Sequence, residues 1–122
     1  MEKKQKTLEE IIRPSVSTGE EFIKLLEKVY FIIRIIIEET NPERLHLIEK
    51  LAQINIVAER MLDNLKELVD VSIDLSEDIP DVVSKQYSKV VLKKITTSIE
   101  SLHLENTSVK QTLADLREAD KK

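Results

Sequence analysis

A chain of 122 residues with a formal net charge of -4, no cysteine, one glycine and three prolines excludes several classes of protein before any motif is sought. Disulfides, thiolate nucleophiles and cysteine-ligated metals are ruled out, and a sheet would want glycine-bearing turns and more than 3% aromatic residues. The net acidity offers no general attraction to nucleic-acid phosphates, so binding there would need a local basic patch.

The length suits one domain, and the abundance of Leu, Ile, Glu and Lys makes the expected class all-α. Met1 to Lys6 carries charge without the apolar core of a signal peptide behind it. No run approaches the roughly 18 apolar residues of a membrane span. A cytoplasmic protein without membrane contact is therefore the expectation, and the richness in Ile, Glu and Lys leans toward a thermophile's composition.

Along the chain, residues 1–18 read as an N-terminal arm whose stretch Thr7 to Arg13 can form two helical turns before Pro14. Ser17 and Thr18 each stand three residues before a glutamate, Glu20 and Glu21, which is capping-box spacing. A first long helix is thus predicted over about 19–40. It carries two apolar seams, Phe22, Leu25, Val29, Ile32 and Ile36 beside Ile23, Leu26, Tyr30, Ile33 and Ile37, so it must touch two neighbours at once. One seam is assigned to the second helix and one to the third. Asn41 and Pro42 are placed to end this helix and begin the next.

The second helix is predicted over about 42–73 on the heptad Leu47, Leu51, Ile54, Ala58, Met61, Leu65 and Leu68, with Ile48, Leu62 and Val69 widening the stripe. From Ser72 to Asp81, four acids and Pro80 read as a loop. A third helix, about 82–119, follows the seam Leu92, Ile95, Ile99, Leu102, Asn106, Val109, Leu113 and Leu116, with 120–122 a disordered tail. The seam resumes in phase beyond Glu105 to Ser108, so the helix is read as continuous and Asn106 as a core amide that sets register. A seam already frayed into solvent at Asn106 is the competing reading. The expected architecture is an up-down-up antiparallel three-helix bundle with long helices, coiled-coil-like packing and a short N-terminal helical element.

Few residues suggest chemistry. Glu43 with His46 and Glu100 with His103 repeat the Glu-x-x-His spacing that supplies ligands in di-metal carboxylate bundles. All four fall off the apolar seams, so two solvent-facing histidines are preferred and no cofactor or metal is expected. Neither histidine leads the small-residue and lysine pattern that follows a phosphoryl-accepting histidine. Lys85, Lys89, Lys93 and Lys94 form a basic stripe, but the acidic loop before them and the scarcity of stacking aromatics favour a solvated face over nucleic-acid binding. No phosphate-cradling loop or nucleophile elbow is present. What remains is surplus apolar surface on the first helix, assigned to Phe31 and Ile35 with Arg34 and Ile37. The expectation is a non-enzymatic protein that acts by association, as a homo-oligomer with a dimer first or with another protein's helix.

Overall fold

The computed structural model describes the backbone of residues 2–39 and 44–121, and side chains over 8–39 and 46–119. Three helices follow one another: α1 (Glu2–Glu38), α2 (Arg44–Ser76) and α3 (Val82–Lys121). Every pair of helices is in contact, making an up-down-up three-helix bundle with no strand among the described residues. At 37, 33 and 40 residues the helices run about 50–60 Å. The expected Asn41-Pro42 junction lies outside the described residues.

The first helix begins far earlier than its capping signals imply. α1 runs unbroken through Pro14, Ser17, Thr18 and Gly19, so the N-terminal arm is its first half and not a separate element. Packing explains this. Leu8, Ile12, Gly19, Ile23, Leu26, Tyr30 and Ile33 are all buried and recur at helical spacing, so breaking the helix at Pro14 would expose Leu8 and Ile12. Pro14 itself is exposed, and its missing N–H leaves one gap in the ladder on the solvent side. The next carbonyl, that of Ile11, accepts a side-chain hydrogen bond from Ser15 Oγ at 3.1 Å.

α2 also outlasts its expected end, because Ser72 and Ser76 serve as small core residues. Ser72 Oγ donates to the Leu68 carbonyl at 2.8 Å and Ser76 Oγ to that of Ile73 at 2.6 Å, so both hydroxyls are satisfied locally and buried. The turn after Ser76 drives Ile79 into the end of the core. Asp81 then caps α3: the Ser84 amide donates to its Oδ2 at 2.9 Å and the Ser84 hydroxyl at 2.8 Å. These bonds hold the Asp81 carboxyl below its ordinary range. At the far end, α3 continues past 119 to Lys121, on from the turn anchored by half-buried Leu116.

The heptad frame of α2 is rotated by one position from the sequence reading. Leu51, Ala58 and Leu65 are buried as expected, but the companion row is Ile48, Asn55, Leu62 and Val69, while Ile54 and Leu68 are exposed.

Two substitutions test how far tertiary packing overrides local preference in α1. A Cβ at Gly19 would meet Ile95 Cδ1 at 3.4 Å and Leu65 Cδ1 at 3.7 Å, ordinary contact distances. Gly19→Ala should therefore gain up to about 1 kcal/mol in urea unfolding, and Pro14→Ala up to about 3 kcal/mol. A loss for Gly19→Ala would mean that the α1–α3 approach requires glycine.

Candidate interaction site and the polar layer beneath it

A polar layer crosses the apolar core one side chain per helix: Tyr30 from α1, Asn55 from α2 and Asn106 from α3. Asn106 is only 1% exposed, so the core reading of this residue holds and the frayed reading does not. Its Nδ2 donates to Tyr30 Oη at 2.7 Å and to the Asn55 carbonyl at 2.9 Å, with Asn55 Oδ1 at 3.1 Å sharing the donor. Asn55 Nδ2 returns the bond to the Asn106 carbonyl at 3.1 Å. The two amides thus lock α2 to α3 reciprocally, and the phenol ties α1 to Asn106 of α3. Burial pushes the Tyr30 hydroxyl above its ordinary range, the bond from Asn106 works against that shift, and the Glu59 and Glu105 carboxylates add to it.

The layer fixes which faces the helices leave outside. On α1 the inner seam Ile23, Leu26, Tyr30 and Ile33 serves α2 and α3 together. The outer seam is not spent on a second neighbour as expected. It lies along the α1/α2 edge, where Leu25 and Ile32 are each 54% exposed and Phe22, Val29 and Ile36 are half-buried. Facing it from α2 are Ile54, Val57, Met61 and Leu68, with Val57 50% exposed. Between the rows runs a groove of about 480 Å³, lined by Leu25, Leu26, Val29, Ile54, Val57 and Met61 among others, with Lys50 and Gln53 at its margin.

Polar groups cross the other two edges, and near the start of α3 the α1/α3 edge also holds a cleft of about 840 Å³ lined by Ile12, Val16, Val83, Tyr87 and Val91 among others. Arg34 crosses from α1 to α3, where its Nε pairs with Glu105 at 2.5 Å and its Nη2 donates to Ser108 Oγ at 2.9 Å. On the α2/α3 edge, His103 Nε2 lies 3.2 Å from Asp63 and Lys89 Nζ lies 2.6 Å from Glu77. Lys89 holds the Glu77 carboxyl below its ordinary range.

The sequence-predicted residues are therefore dispersed. Arg34 is a strut to α3, Ile37 packs against the core, and Phe31, 66% exposed, lies beside Arg34 on the α3 side; Ile35 remains exposed. Phe31 and Ile35, four residues apart, share an exposed face of α1, which Ile37 does not join and from which Arg34 reaches across to α3. The Glu-x-x-His residues do not converge either. His103 is level with Asp63, which stands 17 positions beyond His46 on α2, about 25 Å along the axis. Spacing within one helix does not set this separation; the register that Asn55 and Asn106 impose does. Glu100 is exposed, Glu43 lies outside the described residues, and no metal-holding group of His, Cys, Asp or Glu side chains occurs among the described residues. Lys85 and Lys93, with Lys89, surround Glu77 instead of forming an uncompensated stripe. No described helix is long and apolar enough to cross a membrane. Comparison with protein-family models, curated proteins and solved structures gives no match.

Asn55 and the α1/α2 groove were missed by sequence reading. The available signals were the seven-residue row Ile48, Asn55, Leu62, Val69 and Ser76 on α2, and the leftover row Leu47, Ile54, Met61, Leu68 and Leu75 beside it.

Breaking one partner of the layer should cost more than replacing both. Asn106→Leu strands the Asn55 amide and should lose about 1–3 kcal/mol, whereas Asn55→Leu with Asn106→Leu should recover most of that. Additive losses in a double-mutant cycle by urea unfolding would show the two amides to be independent. Because the Tyr30 pKa is raised in the folded state, its stabilising effect is complete below the ordinary tyrosine value of 10.0 and is lost as pH rises through the folded value. Tyr30→Phe should flatten that alkaline decline in melting temperature; an unchanged slope would assign it to other groups.

Proposed function

We propose that this protein acts by protein–protein association through the apolar face between α1 and α2, and not by catalysis. One observation carries the reading: among the described residues, the α1/α2 edge sets exposed Leu, Ile and Val from two adjacent helices along one groove, with no ion pair described across it, while Arg34–Glu105, His103–Asp63 and Lys89–Glu77 cross the other two edges. Large apolar side chains left in water forgo roughly 1.5–3 kcal/mol each relative to full burial. A contiguous row of them is the usual mark of an interface, and a groove between two helices has the shape that receives an amphipathic helix. No second reading gains a comparable observation, since the candidate metal ligands stand apart and the lysines gather round Glu77.

The face, and not the residue Phe31, is the working surface in this reading. A photo-crosslinking amino acid at Val57 should yield a covalent protein adduct in cells. The same probe at Leu104, which is 74% exposed but lies on α3 away from the groove, should not. Failure to trap any protein from Leu25, Ile32, Ile54 or Val57 would overturn the reading.

A further inference from the structure

We propose that the first half of α1, residues 2–13, is a hinged strap. It lifts on the segment 14–19 while the rest of the bundle stays folded, and so controls access to apolar surface beside the α2–α3 turn. The inference goes beyond the association reading and involves none of the residues that line the α1/α2 groove.

The hinge lies in six consecutive residues in the middle of α1: Pro14, Ser15, Val16, Ser17, Thr18 and Gly19. None is a strong helix former, and proline and glycine are the two poorest. Pro14 lacks the N–H for its ladder bond, its ring crowds the carbonyl of Glu10, and it pushes Arg13 toward extended backbone. Local preference therefore favours uncoiling here, and packing holds the segment helical.

That packing is thin on the strap side. Over 8–18 the buried side chains are Leu8 and Ile12, with Val16 half-buried against the core. Register shows what lies beneath them. Gly19 is in reach of Leu65 on antiparallel α2 and of Ile95 on parallel α3, and the offset of 76 from Gly19 to Ile95 recurs from Tyr30 to Asn106. Counting back from Gly19, Ile12 stands level with Ser72 and Ser88, and Leu8 with Ser76 and Ser84. Each anchor therefore has serine at its own level on both neighbours. Ser72 and Ser76 donate to carbonyls of α2 itself, so their hydroxyls do not tie down the strap. Counting forward, Ile23 and Leu26 stand level with Ile99 and Leu102, both buried. Large apolar partners return once the hinge is passed.

The strap also fails to close on α3. Between them lies the cleft of about 840 Å³, where Ile12 and Val16 face Val83, Tyr87 and Val91. Val83 and Tyr87 are already exposed. Ile79, whose amide donates to the Ser76 carbonyl at 3.1 Å, is buried next to the same serines. Lifting the strap opens the seat between α2 and α3 and joins Ile79 to that exposed patch. In the closed bundle the strap is the cover.

The test uses the full chain, which has no cysteine, and the thiol reagent 5,5′-dithiobis(2-nitrobenzoic acid). A thiol in the seat, Ser76→Cys, should react at least about a hundredfold faster than one buried beyond the hinge, Ala58→Cys, in the absence of denaturant. Its rate should change little at low urea, whereas that of Ala58→Cys should rise steeply because it waits on global unfolding. Ser72→Cys repeats the measurement from the same seat, and circular dichroism checks that each variant keeps its helicity. Adding Pro14→Ala should slow the seat thiols up to about a hundredfold, and adding Ile12→Ser should speed them about tenfold. Seat and control thiols that react at one rate with one urea dependence overturn the proposal, since the strap then opens only with the whole bundle. A seat rate unchanged by Pro14→Ala overturns it too, because the opening then belongs to the α2–α3 turn.

Discussion

The hydrogen bonds among Tyr30, Asn55 and Asn106 decide how the three helices face one another. Apolar heptads attract in any register that buries them, and sliding a helix by one heptad costs little in contact area. A buried amide pair changes this, because a slip leaves donors and acceptors dry and unpaired at about 1–3 kcal/mol each. Here the reciprocal bonds between Asn55 and Asn106 allow one alignment of α2 on α3, and the phenol of Tyr30 extends that alignment to α1. Everything outward follows from it: Arg34 meets Glu105 and Ser108, His103 meets Asp63, and the second seam of α1 comes to rest along α2.

The layer also sets the rotation of each helix, which is why the surface divides so unevenly. With Asn55 pointing inward, the row Ile48, Leu62 and Val69 is buried and the neighbouring row containing Ile54 and Leu68 is turned to the α1/α2 edge. An apolar groove therefore runs along the α1/α2 edge, while ion pairs cross the other two. A core of leucine at these positions would bury more apolar area but specify rotation less sharply. The association we propose depends on that rotation, since it is what makes a single groove out of two separate rows.

Much of the architecture could be read from the chain. The α3 seam runs in phase through Asn106, and the inner seam of α1 from Ile23 to Ile33 is buried as its spacing requires. The beginning of α1 could not be read locally. Pro14, the Ser17-Thr18 pair and Gly19 are each ordinary signals of a boundary, and what overrides them is the burial of Leu8 and Ile12 against partners distant in sequence. In α2 the error has one source: a polar residue interrupts the truly buried row at Asn55, so the all-apolar row containing Ile54 and Met61 looks like the better core. The row turned outward by that rotation forms the α2 wall of the α1/α2 groove, while Phe31 and Ile35 stay exposed elsewhere on α1. Chemistry at Glu-x-x-His was legible only as spacing, and spacing within each helix is silent about where His46 and His103 sit relative to each other.

The proline in α1 divides the helix energetically even though it does not divide it geometrically. Upstream of Pro14, the backbone ladder has one rung fewer, and among the described residues the side chains buried in the core are Leu8 and Ile12. Downstream, the helix is pinned by the phenol of Tyr30 and the guanidinium of Arg34. Native proteins open in cooperative units whose free energies differ, and Pro14 is the natural seam between two such units. The amides of the first three turns can therefore exchange with solvent through a partial opening that leaves the α1/α2 groove, and the layer that orients it, fully formed.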